Sequence, residues 1–429
     1  VYLSYWKNIK KIIVEGYWGK ESRGNRFCPP NLMFYRNFGL IKDTDESKNT
    51  IYIKPLVQDL EWEQGYMYFE ASGFSGFYND EEYTSDILAK TYKYDKFPNT
   101  NRERQLFNSK GEAKEYIDPR ENLKRLHKYP KGQALYFNEA GNTTLLGSRG
   151  GGKSYFWALG EALHQLVVDG GSYYDSNTGK FYAFPDYKVA LDGKQHPKVE
   201  LILGSGDTDK SSELFSKIVA NMNALGGDPQ FGCWNTPDDL DFSPCPLFKD
   251  MSGSSQPGNK KNPYKHEYKI IKNGRELKKG TGSLIYHASY STQKGKGKGA
   301  QAGAGGRYKR SGVEEIGLVE NYINILGSNA SAVSRNGVQF GEQNGFGTSG
   351  NIEAIPQTMK VFLNPQDYNM LAYNDVWEGM GKEGKICFFL PFYMTLRQYK
   401  DVDGNTDYQK AFAHIYKIRH KAANSSDAK

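Results

Sequence analysis

Residues 147–154 read Gly-Ser-Arg-Gly-Gly-Gly-Lys-Ser, and no other stretch of this chain restricts its fold so tightly. The run fits G-x-x-x-x-G-K-[ST], in which glycines let the backbone curl until successive N–H groups face one phosphate. Such a loop belongs between a strand and a helix, because the helix N-terminus adds partial positive charge beneath the anion. The flanks meet that demand. Thr143 to Leu146 reads as a short strand, and Phe156, Trp157, Gly160, Leu163, Leu166 and Val167 recur at helical spacing up to Gly170-Gly171. Gly147, Ser148, Arg149, Gly150, Gly151, Gly152, Lys153 and Ser154 are therefore candidate nucleotide-binding residues. In this pattern Lys153 serves the β/γ-phosphates and the Ser154 hydroxyl is a ligand for Mg2+.

A second βα unit follows. Val199 to Leu203 has the character of a buried strand, and Leu214, Phe215, Ile218, Val219 and Met222 mark a helix capped by Asp209 or Ser211 and stopped by Gly226-Gly227. Repeated βα units predict an α/β fold with a mostly parallel central sheet flanked by helices. Residues 1–130 lack this alternation and read as an N-terminal accessory region, with adenine contacts expected within residues 30–140. The nucleotide-binding core is expected over 131–365 with an insertion at 228–281, and 366–429 as its C-terminal part and a linker around Ala422 to Ser426. Within the insertion, Tyr268 to Lys272, Asn273-Gly274 and the residues from Arg275 onward predict a β-hairpin.

A phosphate loop needs carboxylates on a nearby strand end, one to order Mg2+ and one to activate water. Glu314 and Glu315 are the best candidates for those two roles, although Lys309, Arg310 and Ser311 make the strand before them unusually polar. Asp238, Asp239 and Asp241 form a weaker alternative without an apolar lead-in. Downstream, the polar turn containing Gly347, Thr348, Ser349 and Gly350 suits a segment that couples hydrolysis to movement. The net charge of +7 is a mild bias toward an anionic partner. Lys294, Lys296 and Lys298, in a glycine-rich stretch, and Lys272, Lys278 and Lys279, in the hairpin, are candidate DNA contacts. The glycine-rich stretch is alternatively a loop that closes over nucleotide. No apolar run approaches a membrane span, and the four cysteines form no C-x-x-C, favouring reduced thiols over a disulfide framework.

Taken in order, GSRGGGKS, VELILGSGDTDKSSELFSKI, VEEIG and GFGTSGN resemble the large terminase subunit of tailed bacteriophages. Phe362 to Asn369 and Asp401 to Asp407 resemble the end of that ATPase region, so the resemblance covers about residues 131–415. It implies a P-loop ATPase of the additional-strand (ASCE) type that uses ATP and Mg2+ to drive double-stranded DNA into a procapsid. It also implies a homo-oligomeric ring, commonly a pentamer, docked on the portal protein and working with a small terminase subunit in the host cell cytoplasm, without a membrane. By position, Glu314 matches the metal-ordering acid, Glu315 the catalytic glutamate and Arg149 an arginine that stabilises transition-state charge or senses the γ-phosphate. Arg307, Arg310 and Arg335 are candidates for an arginine supplied to the neighbouring subunit. Two departures stand out: the first acid is Glu where Asp is commoner, and the acid cluster of a nuclease domain is not found. A helicase shares the ATPase core and is the nearest alternative. A guanine-nucleotide switch is disfavoured because no N-K-x-D occurs.

Overall fold

Apolar side chains alternate between two cores along Thr143–Gly147 (β1), where Leu145 enters one and Leu146 the other. Glu200–Ser205 (β2) behaves likewise, with Leu201 and Leu203 opposite Ile202. Strands apolar on both faces suit the interior of a parallel sheet covered by helices. The computed structural model describes principally residues 24–75, 141–167, 199–225, 258–266, 282–291, 299–335, 341–348, 355–374, 385–390 and 392–423, with Gly350 and several short strands outside these ranges. The central sheet adds Tyr264–Lys265 (β3), Leu284–Ser289 (β4), Arg310–Glu314 (β5), Glu342–Gly347 (β6) and Phe388–Leu390 (β7). Its order is β3-β4-β2-β5-β6-β1-β7, and every pairing is parallel except β3 with β4. One strand, β6, thus separates the strand that feeds the glycine loop from the strand that ends in the glutamates.

Helices Pro30–Phe38 (α1), Leu60–Ser75 (α2), 153–167 (α3) and Thr208–Leu225 (α4) contribute to the core on one face. Tyr322–Ala330 (α5) and Ile355–Leu363 (α6) cover the other, and Tyr408–Ala423 (α7) ends the described chain. The middle of α3, Phe156–Leu163, is wound as a π-helix. Phe156 is met edge-on by Tyr35, Trp62 and Tyr66, with centroids 5.8, 5.1 and 5.8 Å away. The described part of the N-terminal region therefore packs onto the helix that follows the glycine loop. α4 is capped by Asp207, whose carboxylate accepts the Asp209 N–H at 3.0 Å, and not by Asp209 or Ser211. The Ser211 hydroxyl instead donates to the Thr208 carbonyl within the first turn.

The polar strand β5 lies in the middle of the sheet. Arg310 is fully buried, with one guanidinium nitrogen 2.6 Å from Glu161 of α3 and another 2.5 Å from Glu342 of β6. Its Nε donates to Gln165 at 3.3 Å, and Asn31 of α1 donates to the other Glu161 oxygen at 3.1 Å. Arg310 is thereby corrected from the sequence expectation: enclosed and doubly paired, it cannot reach a neighbouring subunit's nucleotide. Gly312 is required because the Trp157 indole crosses the strand there, and a Cβ would lie 2.1 Å from it.

Burial pushes the Glu342 carboxyl up to about 7 against the pull of Arg310. A carboxyl raised above its unfolded value binds its proton more tightly when folded, so its contribution to stability falls as pH climbs from 4.5 through about 7. Urea titrations should show that decline in the wild type and a shallower one in Glu342→Gln; identical profiles would contradict this assignment. Arg310→Leu, which strands two buried carboxylates, should cost about 3–5 kcal/mol.

Candidate active site

β1 ends where the backbone must reverse into α3. Gly150 and Gly152 take φ of 78° and 72°, the left-handed region that glycine enters without strain. A Cβ on Gly150 would meet nothing within 4 Å, so conformation and not crowding requires glycine there. Lys153, at the start of α3, is buried, and its Nζ donates to the Ser148 carbonyl at 2.5 Å and the Gly147 carbonyl at 3.4 Å. Burial pulls its ammonium down to about 8, while Glu315 and then Glu314 pull it back up.

The two glutamates face the same cleft for a geometric reason. Consecutive side chains of a strand point to opposite sides. β5 stops at Glu314, and Glu315 adopts φ 54°, ψ 44°, which turns the chain so that both carboxylates line the cleft with Lys153. A non-glycine residue in that region carries about 1–3 kcal/mol of strain, of the kind that concentrates at functional sites. Burial pushes the Glu314 carboxyl up, and Lys217 and then Ser154 oppose that shift.

The end of β6 leans on this turn. A Cβ on Gly347 would lie 2.8 Å from the Ile316 nitrogen and 3.0 Å from the Glu315 Cα. One on Gly350, itself at φ 62°, would lie 1.7 Å from the Gly317 carbonyl oxygen. Thr358 of α6 donates to the Ile316 carbonyl at 2.6 Å from the other side. Gly347 and Thr348 line the cleft, whereas Ser349 lies outside the described residues.

The cleft holds about 550 Å³, within the range of small-molecule sites. Arg149 stands exposed on its lining. One wall was not anticipated from sequence: Lys42, Asp43 and Thr44 of a hairpin, with Tyr155, Glu213 and Lys217. Tyr155 directly follows the loop motif, but only the topology reveals that α4 brings Lys217 beside it.

The remaining candidates lie elsewhere. The hairpin forms as expected from Tyr268–Lys272 and Arg275–Lys279, pairing Lys272 with Arg275, Lys278 with Lys269 and Lys279 with Tyr268. Arg307 donates to the carbonyls of Gly306 and Ser331, and it precedes β5 at the end opposite Glu314. Arg335 sits in a two-residue strand paired with Val338–Gln339. Lys294, Lys296 and Lys298, the Asp238, Asp239 and Asp241 alternative, Gly170-Gly171, Gly226-Gly227 and Asn424 to Ser426 lie outside the described residues; Ala422 and Ala423 continue α7. Cys387 is a buried free thiol.

Among the described residues no group of three or more His, Cys, Asp or Glu side chains could hold a metal by itself, and no helix is long and apolar enough to cross a membrane.

No family model and no curated protein matches the sequence. Among solved structures, the crystal structure of the HK97 bacteriophage large terminase is similar to this chain at 11% identity with a TM-score of 0.30, covering 72% of this chain and 48% of that one. The chain thus spans about half the length of that protein, and the likeness is too loose to argue from.

The left-handed turn has a direct consequence. Glu315→Gly should match or exceed wild-type stability, by up to about 1 kcal/mol, while Glu315→Val should lose about 1–2 kcal/mol. Denaturant melts that rank valine with or above glycine would contradict the backbone geometry.

Proposed function

We propose that this protein is an ATP-hydrolysing motor subunit of the viral terminase type, which moves double-stranded DNA into a procapsid. The observation that carries the enzymatic half is the convergence of Lys153, Ser154, Glu314 and Glu315 on one cleft at the C-terminal ends of β1, β5 and β6. In open α/β sheets ligands bind at those ends. The residues present fit a nucleotide with its Mg2+: a glycine turn with open space at Gly150, a buried lysine, and a serine hydroxyl lining the same cleft as two carboxylates. The interposed strand β6 agrees with the additional-strand class of P-loop ATPase.

In this reading the loop N–H groups and Lys153 hold the phosphates, and Ser154 and Glu314 hold Mg2+. When bound, the ion neutralises charge on the transferring phosphoryl group. Glu315 orients the attacking water and takes its proton. Arg149, exposed on the lining, balances developing negative charge. Loss of the terminal phosphate is relayed through the backbone contact between the Glu315 turn and Gly347 to Gly350. DNA is gripped through its phosphates, since packaging must ignore sequence, and the lysine hairpin of Tyr268–Lys279 is the best described surface for it. Portal protein, small subunit and a ring of identical subunits are the partners that this reading requires.

Lys153→Ala should abolish ATP hydrolysis, and Glu315→Gln should keep ATP affinity while losing about 10²–10⁴-fold in turnover. Wild-type turnover in Glu315→Gln would remove Glu315 from the mechanism. Changing Lys272, Lys278 and Lys279 to Gln should flatten the salt dependence of duplex binding, by about 0.9 log units for each phosphate no longer neutralised. An unchanged slope would exclude the hairpin as a DNA surface. Duplex-stimulated ATPase activity without unwinding of a forked substrate fits packaging; unwinding would favour a helicase.

A further inference from the structure

Lys217 belongs to no motif, yet it lines the cleft together with Lys153, Ser154, Glu314 and Glu315. It pairs along α4 with Glu213, Nζ to Oε1 3.5 Å, but the two ends of this pair differ: the lysine side chain is 13% exposed and the glutamate 58%. A solvated pair at this spacing leaves both ends in water. Here the lysine turns inward. Its Nζ stands 5.2 Å from the centroid of the Tyr155 ring, a cation–π contact that holds it beside the phosphate loop. Tyr155 is itself fixed, because its hydroxyl accepts the Lys42 N–H at 3.1 Å. Glu213 also has Lys210 as a partner at 3.5 Å, so neutralising Glu213 does not depend on Lys217. On the cleft side, Lys217 is the strongest influence opposing the burial shift of Glu314.

We propose that Lys217 is a second phosphate-binding cation, acting within the same subunit and aimed into the cleft by Tyr155 and Glu213. This rests on the reading of the cleft as a nucleoside triphosphate site. Lys217 touches the triphosphate with its Mg2+, complements Lys153, and lets one subunit hold ATP before any arginine arrives from a neighbour. Removing its charge weakens binding of the polyphosphate without unfolding α4, since a methionine keeps the stem that packs on Tyr155.

The test measures affinity of a fluorescent ATP analogue with Mg2+ for the full chain and for Lys217→Met, Lys217→Gln, Lys217→Arg and Lys153→Ala, each checked by thermal melting. Lysine labelling read by mass spectrometry accompanies it. Both neutral variants should lose affinity by about tenfold or more, as expected for a charge-assisted phosphate contact, and Lys217→Arg should recover most of it. ATP with Mg2+ should protect Lys217 from labelling while exposed Lys210, about two turns away on the same helix, stays reactive. Unchanged affinity in folded neutral variants, or no protection of Lys217 when Lys153→Ala has lost binding, would overturn the proposal and leave the nucleotide site standing. Wild-type affinity in Lys153→Ala would overturn the nucleotide reading itself, and this proposal with it.

Discussion

The ion triad of Arg310 with Glu161 and Glu342 is the constraint on which the site depends. It joins three elements: β5, the helix that leaves the glycine loop, and β6. The far ends of those elements carry Glu314 and Glu315, Lys153 and Ser154, and Gly347 and Thr348. Buried ion pairs contribute little net stability compared with apolar packing, because both partners give up hydration. What this triad does impose is register. A one-residue slip of β5 would swing Arg310 to the opposite face of the sheet and leave both carboxylates without their partner. The glutamates at the end of the strand are thereby held at one height relative to the loop.

Polar residues extend this logic through the sheet. Asn344 of β6 donates to Thr143 of β1 at 2.9 Å, and the Thr143 hydroxyl also pairs with Tyr66 of α2 at 2.7 Å. On the other face Asn329 of α5 donates to Ser311 of β5 at 3.0 Å and to Tyr290 at 3.1 Å. Buried hydrogen bonds of this kind tie strands to helices at specific depths. Backbone contact between Gly347 and the Glu315 turn then leaves no slack between the acids and the segment that follows β6.

Much of the site was legible because its chemistry is local in sequence. The loop, the strand before it and the helix after it follow from glycine placement and apolar spacing over a few residues. The hairpin at Tyr268–Lys279 was equally plain from its Asn-Gly turn. β5 was harder: Lys309, Arg310 and Ser311 look wrong for a central strand because the groups that accommodate Arg310 lie far away in the chain, Glu161 among them. The same blindness put Arg310 among the candidate intersubunit arginines. Lys217 escaped notice since its neighbours on α4 read as an ordinary amphipathic helix, and its meaning comes only from where β2 and α4 pack beside β5. The Asp207 cap was missed because Asp209 and Ser211, within four residues of it, carry equally good capping chemistry.

The central claim is that a triphosphate sits on the glycine turn with its metal between Ser154 and Glu314 and its terminal group toward Glu315. A crystal structure with a non-hydrolysable ATP analogue and Mn2+ in place of Mg2+ tests it most directly, since the anomalous signal locates the metal independently of the nucleotide. The expected result is one metal peak within ligand distance of the Ser154 hydroxyl, on the Glu314 side, with the terminal phosphate next to Lys153 and Glu315. Nucleotide and metal bound away from this cleft, or a cleft that stays without them at saturating analogue, would contradict it.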